Sequence, residues 1–465
     1  MRDTDAMAKL NAKRDAIGPS LKERLAAGKA LRERVPRGFH AKWAPSPRRP
    51  DPIELIKSTD RGRLADLLPI RYGRMQGSPF AFFRGTAALM AADLASTPST
   101  SLRVQACGDC HIANFGGFGS PERRLVFDIN DFDETHHAPW EWDVKRMAAS
   151  MVLAGRELGF RERQCAGAAK GAVQSYREHM REYAEMNALA AWYSFLDAEL
   201  LVENAKTEES RRDWQRIERD AYSDTSEHVF PRITKITKGV PRIIDRPPLV
   251  YHSAQSLSVG KHVREMFERY RRTLPEDKRV ILDRYRIVDV ARKVVGVGSV
   301  GTRCAVVLLM AGANDPLFLQ CKEARASVLE PFAGKGRYDN QGERVVTGQR
   351  MLQSASDVFL GWTRDEEGHD YYFRQLRDMR MKIDISTMSH AEFLEYVELC
   401  GWALARGHAR TGDSARIAGY LGTGERFDEA IAKFAGLYAD QAERDFEVFV
   451  KAIRAGKFIA RREKC

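Results

Sequence analysis

The sequence predicts an α+β protein in two lobes. A small antiparallel β-rich lobe covers residues 284–380, and a larger helical lobe is assembled from 101–240 and 381–465. Two β-branched runs, RYRIVDVARKVV and TRCAVVLLM, flank a glycine cluster, and a third run, DPLFLQCKEA, follows at once. Long helical stretches lie on both sides of these runs. Hydrophobic residues at 43% and charged residues at 30% suit a globular enzyme and exclude a disordered chain.

The elements follow in order. Residues 1–100 read as a helical and extended extension: a charged helix at about 9–35, a Pro/Arg-rich connector PRGFHAKWAPSPRRPDP, a short amphipathic helix in RGRLADLLPIRYGRM, then a turn at Ser78-Pro79 before further helix. Residues 101–240 form the first part of the helical lobe. It opens with short strands, LRVQACGDCHIANFGGF and RRLVFDINDFDET, broken by glycine. In the second strand Leu125, Phe127 and Ile129 fall two apart, the period of a strand with one buried face. Helices follow from WEWDVKRMAAS to a charged stretch around 205–222. Pro247-Pro248 and Pro275 punctuate a connector at 241–283. The β-rich lobe also carries a helix at about 343–358, and 381–465 return to helix, beginning at HAEFLEYVELCGWALARGHAR.

Charge narrows the partners. Seventy-five basic against 64 acidic residues leave +11, which favours anionic partners such as nucleotides, phosphates or nucleic acid. The charge is spread along the chain and forms no block, which argues against a nucleic-acid binder. No run of 18 apolar residues occurs, and the charged N-terminus has no apolar core, so no membrane partner and a cytoplasmic location are expected. The seven cysteines then read as reduced thiols.

Four motifs carry candidate chemistry. Gly296, Gly298 and Gly301 have the spacing of a loop that approaches phosphates. The strand that follows them, where a dinucleotide fold would need a helix, puts them in a hairpin. Lys322 lies on the next strand, where a kinase carries its phosphate-contacting lysine. Asp109 and Asn114 stand five apart on the loop Gly108-Asp109-Cys110-His111-Ile112-Ala113-Asn114, as an acid/base carboxylate and a metal-holding amide do in a kinase catalytic loop. Asp128, Asn130, Asp131 and Asp133 crowd a strand end and offer hard oxygens suited to Mg²⁺. Cys107-Gly-Asp-Cys110-His111 also fits a haem-attachment pattern, but no export context accompanies it, and the two cysteines read better as small apolar fillers. Arg71, Arg74 and Arg84 flank SPFAFF and read as anchors of that loop, with a clamp on an anionic substrate as the alternative.

The loop 108–114 resembles the G-D-x-H-x-x-N brace of aminoglycoside phosphotransferases and other kinase-like enzymes. Over most of its length the chain resembles the bacterial family called domain of unknown function 2252. The segments that carry the likeness are RYGRMQGSPFAFFRG, GDCHIANFGGF, VFDINDFDET, WEWDVKRMAAS, VGVGSVGTRC, QCKEA, ERVVTGQRMLQSASDVFLGW, FRQLRDM and CGWALARGHARTGD. The resemblance implies a two-lobed, kinase-like fold. The catalytic loop and metal strand precede the glycine hairpin and Lys322, so the fold would be circularly permuted, cut between the helix ending ALARGHAR and the catalytic loop. Carried over by residue, it implies Asp109 as catalytic aspartate with His111 bracing its loop. Asn114 and Asp131 would bind Mg²⁺, with Asp128 or Asp133 as substitutes. Lys322 would lie on the α/β-phosphates of ATP beneath Gly296, Gly298 and Gly301, and Asp143 would brace the catalytic loop. The partner of Lys322 stays open between Glu343, Glu330 and a polar stand-in, Gln349. The expected function is an ATP- and Mg-dependent phosphotransferase with a small-molecule or protein hydroxyl acceptor. Cys107 in place of the families' histidine and Asp133 in place of the D-F-G glycine leave nucleotidyl (AMP) transfer and inactive nucleotide sensing as alternatives.

Overall fold

The computed structural model describes residues 18–252, 254–376, 378–381 and 383–461, so the start of the charged helix expected at about 9–35 and Cys465 lie outside the described residues. The architecture is mixed α+β: a helix-rich region with several small antiparallel sheets.

The largest sheet has six antiparallel strands in the order Gly361–Arg364, Asp370–Gln375, Asp315–Ala324, Cys304–Gly312, Arg286–Lys293 and Val250–Tyr251. Its central strand shows the period of two directly. Leu317, Leu319 and Cys321 pack into one cluster with Tyr270 and Phe373, and Phe318 packs into another with Val306 and Leu308. Gln320 and Lys322 share the face of Phe318 by the same alternation, and Lys322 pairs in register with Cys304 on one side and Tyr372 on the other. The stretch 241–283, which reads as a connector, is largely ordered elements. It supplies the edge strand Val250–Tyr251 and the helix Ala254–Arg272, whose Tyr270 stacks on Phe373 with ring centroids 4.2 Å apart. The prolines bound these elements and do not interrupt them. The helix expected at about 343–358 runs Gln341–Leu352, opened by the Asn340 side chain accepting from the Glu343 N–H.

The helical region is built around Trp140–Glu157, which is buried along nearly its whole length and packs against Glu162–Glu185 and Arg426–Arg454. The helix His390–Thr411 starts from a capping box between Ser389 and Glu392 and lies along Glu162–Glu185. Two short antiparallel ladders sit against it: Arg103–Ala106 with His136–Pro139, and Phe115–Gly119 with Leu125–Ile129 and Leu196–Asp197. Asp128 in this hairpin and Arg406 of the long helix form an ion pair 2.7 Å apart in which both side chains are 0% exposed. Ser354 adds its N–H and hydroxyl to the same carboxylate. Among the described residues no helix is long and apolar enough to cross a membrane.

Removing one member of a fully buried pair strands the other charge, at a cost of about 3–5 kcal/mol. Arg406→Met should lower unfolding free energy by that amount in urea titration at neutral pH. A loss under about 1 kcal/mol would mean that Asp128 is not held as a buried ion.

Candidate functional site

Three segments meet at one cleft of about 1370 Å³, lined among others by Arg74, Arg84, Asn114, Asp131, Gly296 and Lys322. The loop after Arg103–Ala106 supplies the first. Gly108 there has φ +86°, and a Cβ at that position would stand 2.1 Å from the Glu134 carbonyl oxygen, so only glycine lets the loop pass the acidic turn. Asp143, in the first turn of Trp140–Glu157, accepts from the N–H groups of Cys107 and Gly108 at 2.7 and 3.0 Å, and His408 Nε2 lies 3.2 Å from it. The Asn114 amide donates to the Asp109 carbonyl at 2.7 Å and closes the loop.

Asp109 is bound by a group that motif reading does not supply: Arg146 Nε donates to Oδ1 at 2.5 Å. Arg146 also donates to the Phe83 carbonyl, and its guanidinium lies 4.2 Å from the Phe83 ring centroid. Burial raises the Asp109 carboxyl above its ordinary value despite this arginine. His111 sits under the loop, with Nε2 3.9 Å from Asp109, beyond hydrogen-bond reach. Burial, then Arg84 and Arg146, push its imidazole well below the usual histidine range.

The second segment is the acidic turn. Asp131 stays 36% exposed, with a carboxylate oxygen 4.0 Å from Lys322 Nζ. Asp133 takes the direct contact: Lys322 Nζ donates to its Oδ2, Ser299 Oγ donates to the same oxygen at 2.9 Å, and Tyr372 OH donates to Oδ1 at 2.9 Å. Burial opposes the charge of Asp133, but Lys322 and these hydrogen bonds outweigh it and hold the carboxyl below its ordinary value. Burial likewise opposes the charge of Lys322, and Asp131 and Asp133 hold its ammonium above the usual lysine value. Arg344 of Gln341–Leu352 fixes the turn by donating to the carbonyls of Asp133 and Thr135.

The third segment is the glycine turn 294–303, which joins Arg286–Lys293 to Cys304–Gly312. Gly296 and Gly301 have positive φ. The residues before Gly85 hold this turn down. Arg74 donates to the Gly296 carbonyl, Arg63 to the Val300 carbonyl at 2.6 Å, and the Leu64 N–H to the Gly301 carbonyl at 2.7 Å. Arg71 anchors locally on Asp60, whereas Arg74 and Arg84 line the cleft.

Residues 63–452 match the family described as an uncharacterized protein conserved in bacteria (DUF2252). The chain belongs to that family. No curated protein and no solved structure matches it.

The family match spans all three segments of the cleft. Two residues expected at the site have other work. Asp128, one of the candidate metal ligands, is enclosed with Arg406 and Ser354 and offers no oxygen to a cleft ion. Glu343 does not pair with Lys322, whose ionic partners are Asp133 and Asp131. Glu343 sits in the first turn of its helix, with its N–H on Asn340. Glu330 accepts from the Gly336 N–H, and Gln349 reaches the cleft lining. Cys107 and Cys110 are fully buried, and their sulfurs lie within 4.8 Å of an Asp143 oxygen. Burial raises both thiols, which disfavours the thiolate that a metal requires.

Asp133→Asn leaves the buried ammonium of Lys322 with Asp131 at 4.0 Å alone. The loss should be about 2–4 kcal/mol, somewhat less than the ~3–5 kcal/mol of a fully buried broken pair because the Asp133 side chain is 24% exposed. A lowered carboxyl stabilises the fold above the ordinary value of 3.8 and loses that effect as pH falls through its depressed value. A raised ammonium does so below 10.5 and loses it as pH climbs through its elevated value. The gap between wild type and variant in chemical denaturation should therefore stay level from 3.8 to 10.5 and narrow outside. A gap that vanished near neutrality would refute the pairing.

Proposed function

We propose that this chain is an ATP- and Mg²⁺-dependent phosphotransferase of kinase-like, circularly permuted fold acting on a hydroxyl acceptor. One observation carries the reading: the ammonium of Lys322, on the strand behind a glycine turn, meets Asp131 and Asp133 on a turn that also borders the Asp109–Asn114 loop. The order of elements supports it. Three antiparallel strands, a one-turn helix and the helix Gln341–Leu352, and two further strands lead into His390–Thr411, the helix that a kinase-like chain would continue straight into its catalytic loop. Here that loop comes from the other end of the chain. It still abuts the helix end, where Thr411 Oγ1 accepts from the Gln105 N–H at 3.2 Å and His408 meets Asp143.

The donor set fits magnesium. The Asn114 amide nitrogen is committed to the loop, which leaves its oxygen as ligand atom, and half-exposed Asp131 adds a hard carboxylate. Such an ion supplies charge that offsets the phosphates. Asp109 takes the proton of the acceptor hydroxyl. The acceptor oxygen bonds to the γ-phosphorus as the bond from that phosphorus to the bridging oxygen breaks, and the electron pair leaves with ADP. Lys322 shifts from Asp133 to the α/β-phosphates, a change between two anionic partners that keeps its buried charge paired. The work is positioning and charge neutralisation. Binding without transfer is the second reading, favoured by the Arg146 guanidinium that already neutralises Asp109.

ATP with Mg²⁺ at about 100-fold over its dissociation constant should add about 2.7 kcal/mol of stability in a thermal-shift titration. No shift at millimolar ATP would sink both readings. With an acceptor identified by mass-spectrometric search for phosphorylated product, Asp109→Asn should lower turnover at least about 100-fold. Its wild-type rate should fall on acidification with a midpoint above 3.8, because burial raises the carboxyl. Turnover by the variant equal to wild type would remove Asp109 from catalysis.

A further inference from the structure

Arg84 has no role in the scheme above, and its placement is demanding. It is the penultimate residue of the short helix Pro79–Gly85, opened by Ser78 accepting from the Ala81 N–H. Its two backbone neighbours are clamped by buried arginines. Arg146 donates to the Phe83 carbonyl at 3.0 Å, and Arg71 donates to the Gly85 carbonyl at 3.1 Å. Phe82 and Phe83 are each 1% exposed, so the peptide that carries Arg84 is fixed on three sides.

The side chain lines the cleft, and its guanidinium carbon lies 5.8 Å from the Phe80 ring centroid. Arg84 Nε is buried and has no hydrogen-bond partner among the described residues. Arg71, whose Nε is likewise unpartnered, still ends on a carboxylate at Asp60, and Arg146 donates to Asp109. Burial lowers the Arg84 guanidinium, and the charges of Asp109, Asp131 and Glu157 act in the opposite direction. Overhead, a Cβ on Gly298 would lie 3.2 Å from the Arg84 carbonyl, so the glycine turn closes directly onto this residue. Arg84 therefore stands where the glycine turn, Asp109 and Asp131 converge. Both carboxylates already face another cation, Arg146 for Asp109 and Lys322 for Asp131. A half-buried guanidinium whose enclosed Nε is an unfilled donor calls, at such a point, for an anion with several oxygens, and a terminal phosphoryl group matches its planar fork.

We infer that Arg84 binds the terminal phosphoryl group of the nucleotide and makes the cleft prefer a nucleoside triphosphate to a diphosphate. This rests on the phosphotransferase reading and adds to it an arginine supplied by the segment ahead of the catalytic loop. Lys322 serves the phosphates common to ATP and ADP, and Arg84 serves the one that differs.

Calorimetric titration of the full chain with Mg²⁺ and either ADP or the non-hydrolysable analogue AMP-PNP separates the two claims. A charge-assisted hydrogen bond corresponds to about 10- to 100-fold in affinity, so wild type should prefer AMP-PNP by that factor. Arg84→Gln should lose the preference while binding ADP within about 2-fold of wild type, and Arg84→Lys should recover part of it. Ligand-free melting temperatures check that both variants are folded. Wild type that binds both ligands without preference, or Arg84→Gln that keeps the preference, overturns the role of Arg84 and leaves nucleotide binding standing. Wild type that binds neither ligand overturns both.

Discussion

The contact between Lys322 and Asp133 joins residues 189 positions apart, and the cleft depends on it. The lysine side chain is 2% exposed, and an ammonium so enclosed is tolerated only with opposite charge at hand. The central strand must therefore bring its polar face to the acidic turn. Tyr372 from the neighbouring strand and Ser299 from the glycine turn reach the same carboxylate. One side chain of the helical region thus gathers three elements of the large sheet. An anionic ligand that displaced Asp133 from Lys322 would loosen all three together, a physical route by which cleft occupancy could be felt in the sheet.

Within the helical region a second, buried carboxylate has a comparable role. Asp143 collects the N–H groups of Cys107 and Gly108, and His408 approaches it from the end of His390–Thr411, with Tyr176 OH 2.9 Å from the other ring nitrogen. Buried N–H groups in a tight loop need such an acceptor. The loop and the long helix belong to opposite ends of the chain, yet both are held by one residue of Trp140–Glu157. Noncovalent bonds to Asp143 thus join two stretches that lie far apart in the sequence.

Much of this was legible in the sequence where the signal is local. The run DPLFLQCKEA is the strand Asp315–Ala324, and the β-branched runs around the glycines are Cys304–Gly312, which pairs with it, and Arg286–Lys293, the next strand out, because alternation and β-branching report directly on a pleated, buried strand. Within the short loop the five-residue spacing corresponds to a closed turn, with the Asn114 amide on the Asp109 carbonyl. What stayed hidden are pairings that no period encodes. Asp128 reads like its neighbours Asp131 and Asp133, and only the approach of Arg406, 278 positions away, removes it from the cleft. Glu343 reads as a partner for Lys322 by its place on the following helix, but the side chain that this helix sends to the acidic turn is Arg344. Arg146 lies three residues after Asp143, one helical turn along the same face, and that spacing was the available hint that both serve one loop. The segment around residues 59–85 was read as an extension because nothing local shows that it docks on the glycine turn.

The account turns on where Lys322 goes when the cleft is filled. A crystal structure of the full chain with Mg²⁺ and AMP-PNP measures this directly. Lys322 Nζ is expected at about 3 Å from phosphate oxygens, within ordinary hydrogen-bond reach, and released from Asp133. Nucleotide bound elsewhere, with Lys322 still on Asp133, would contradict it.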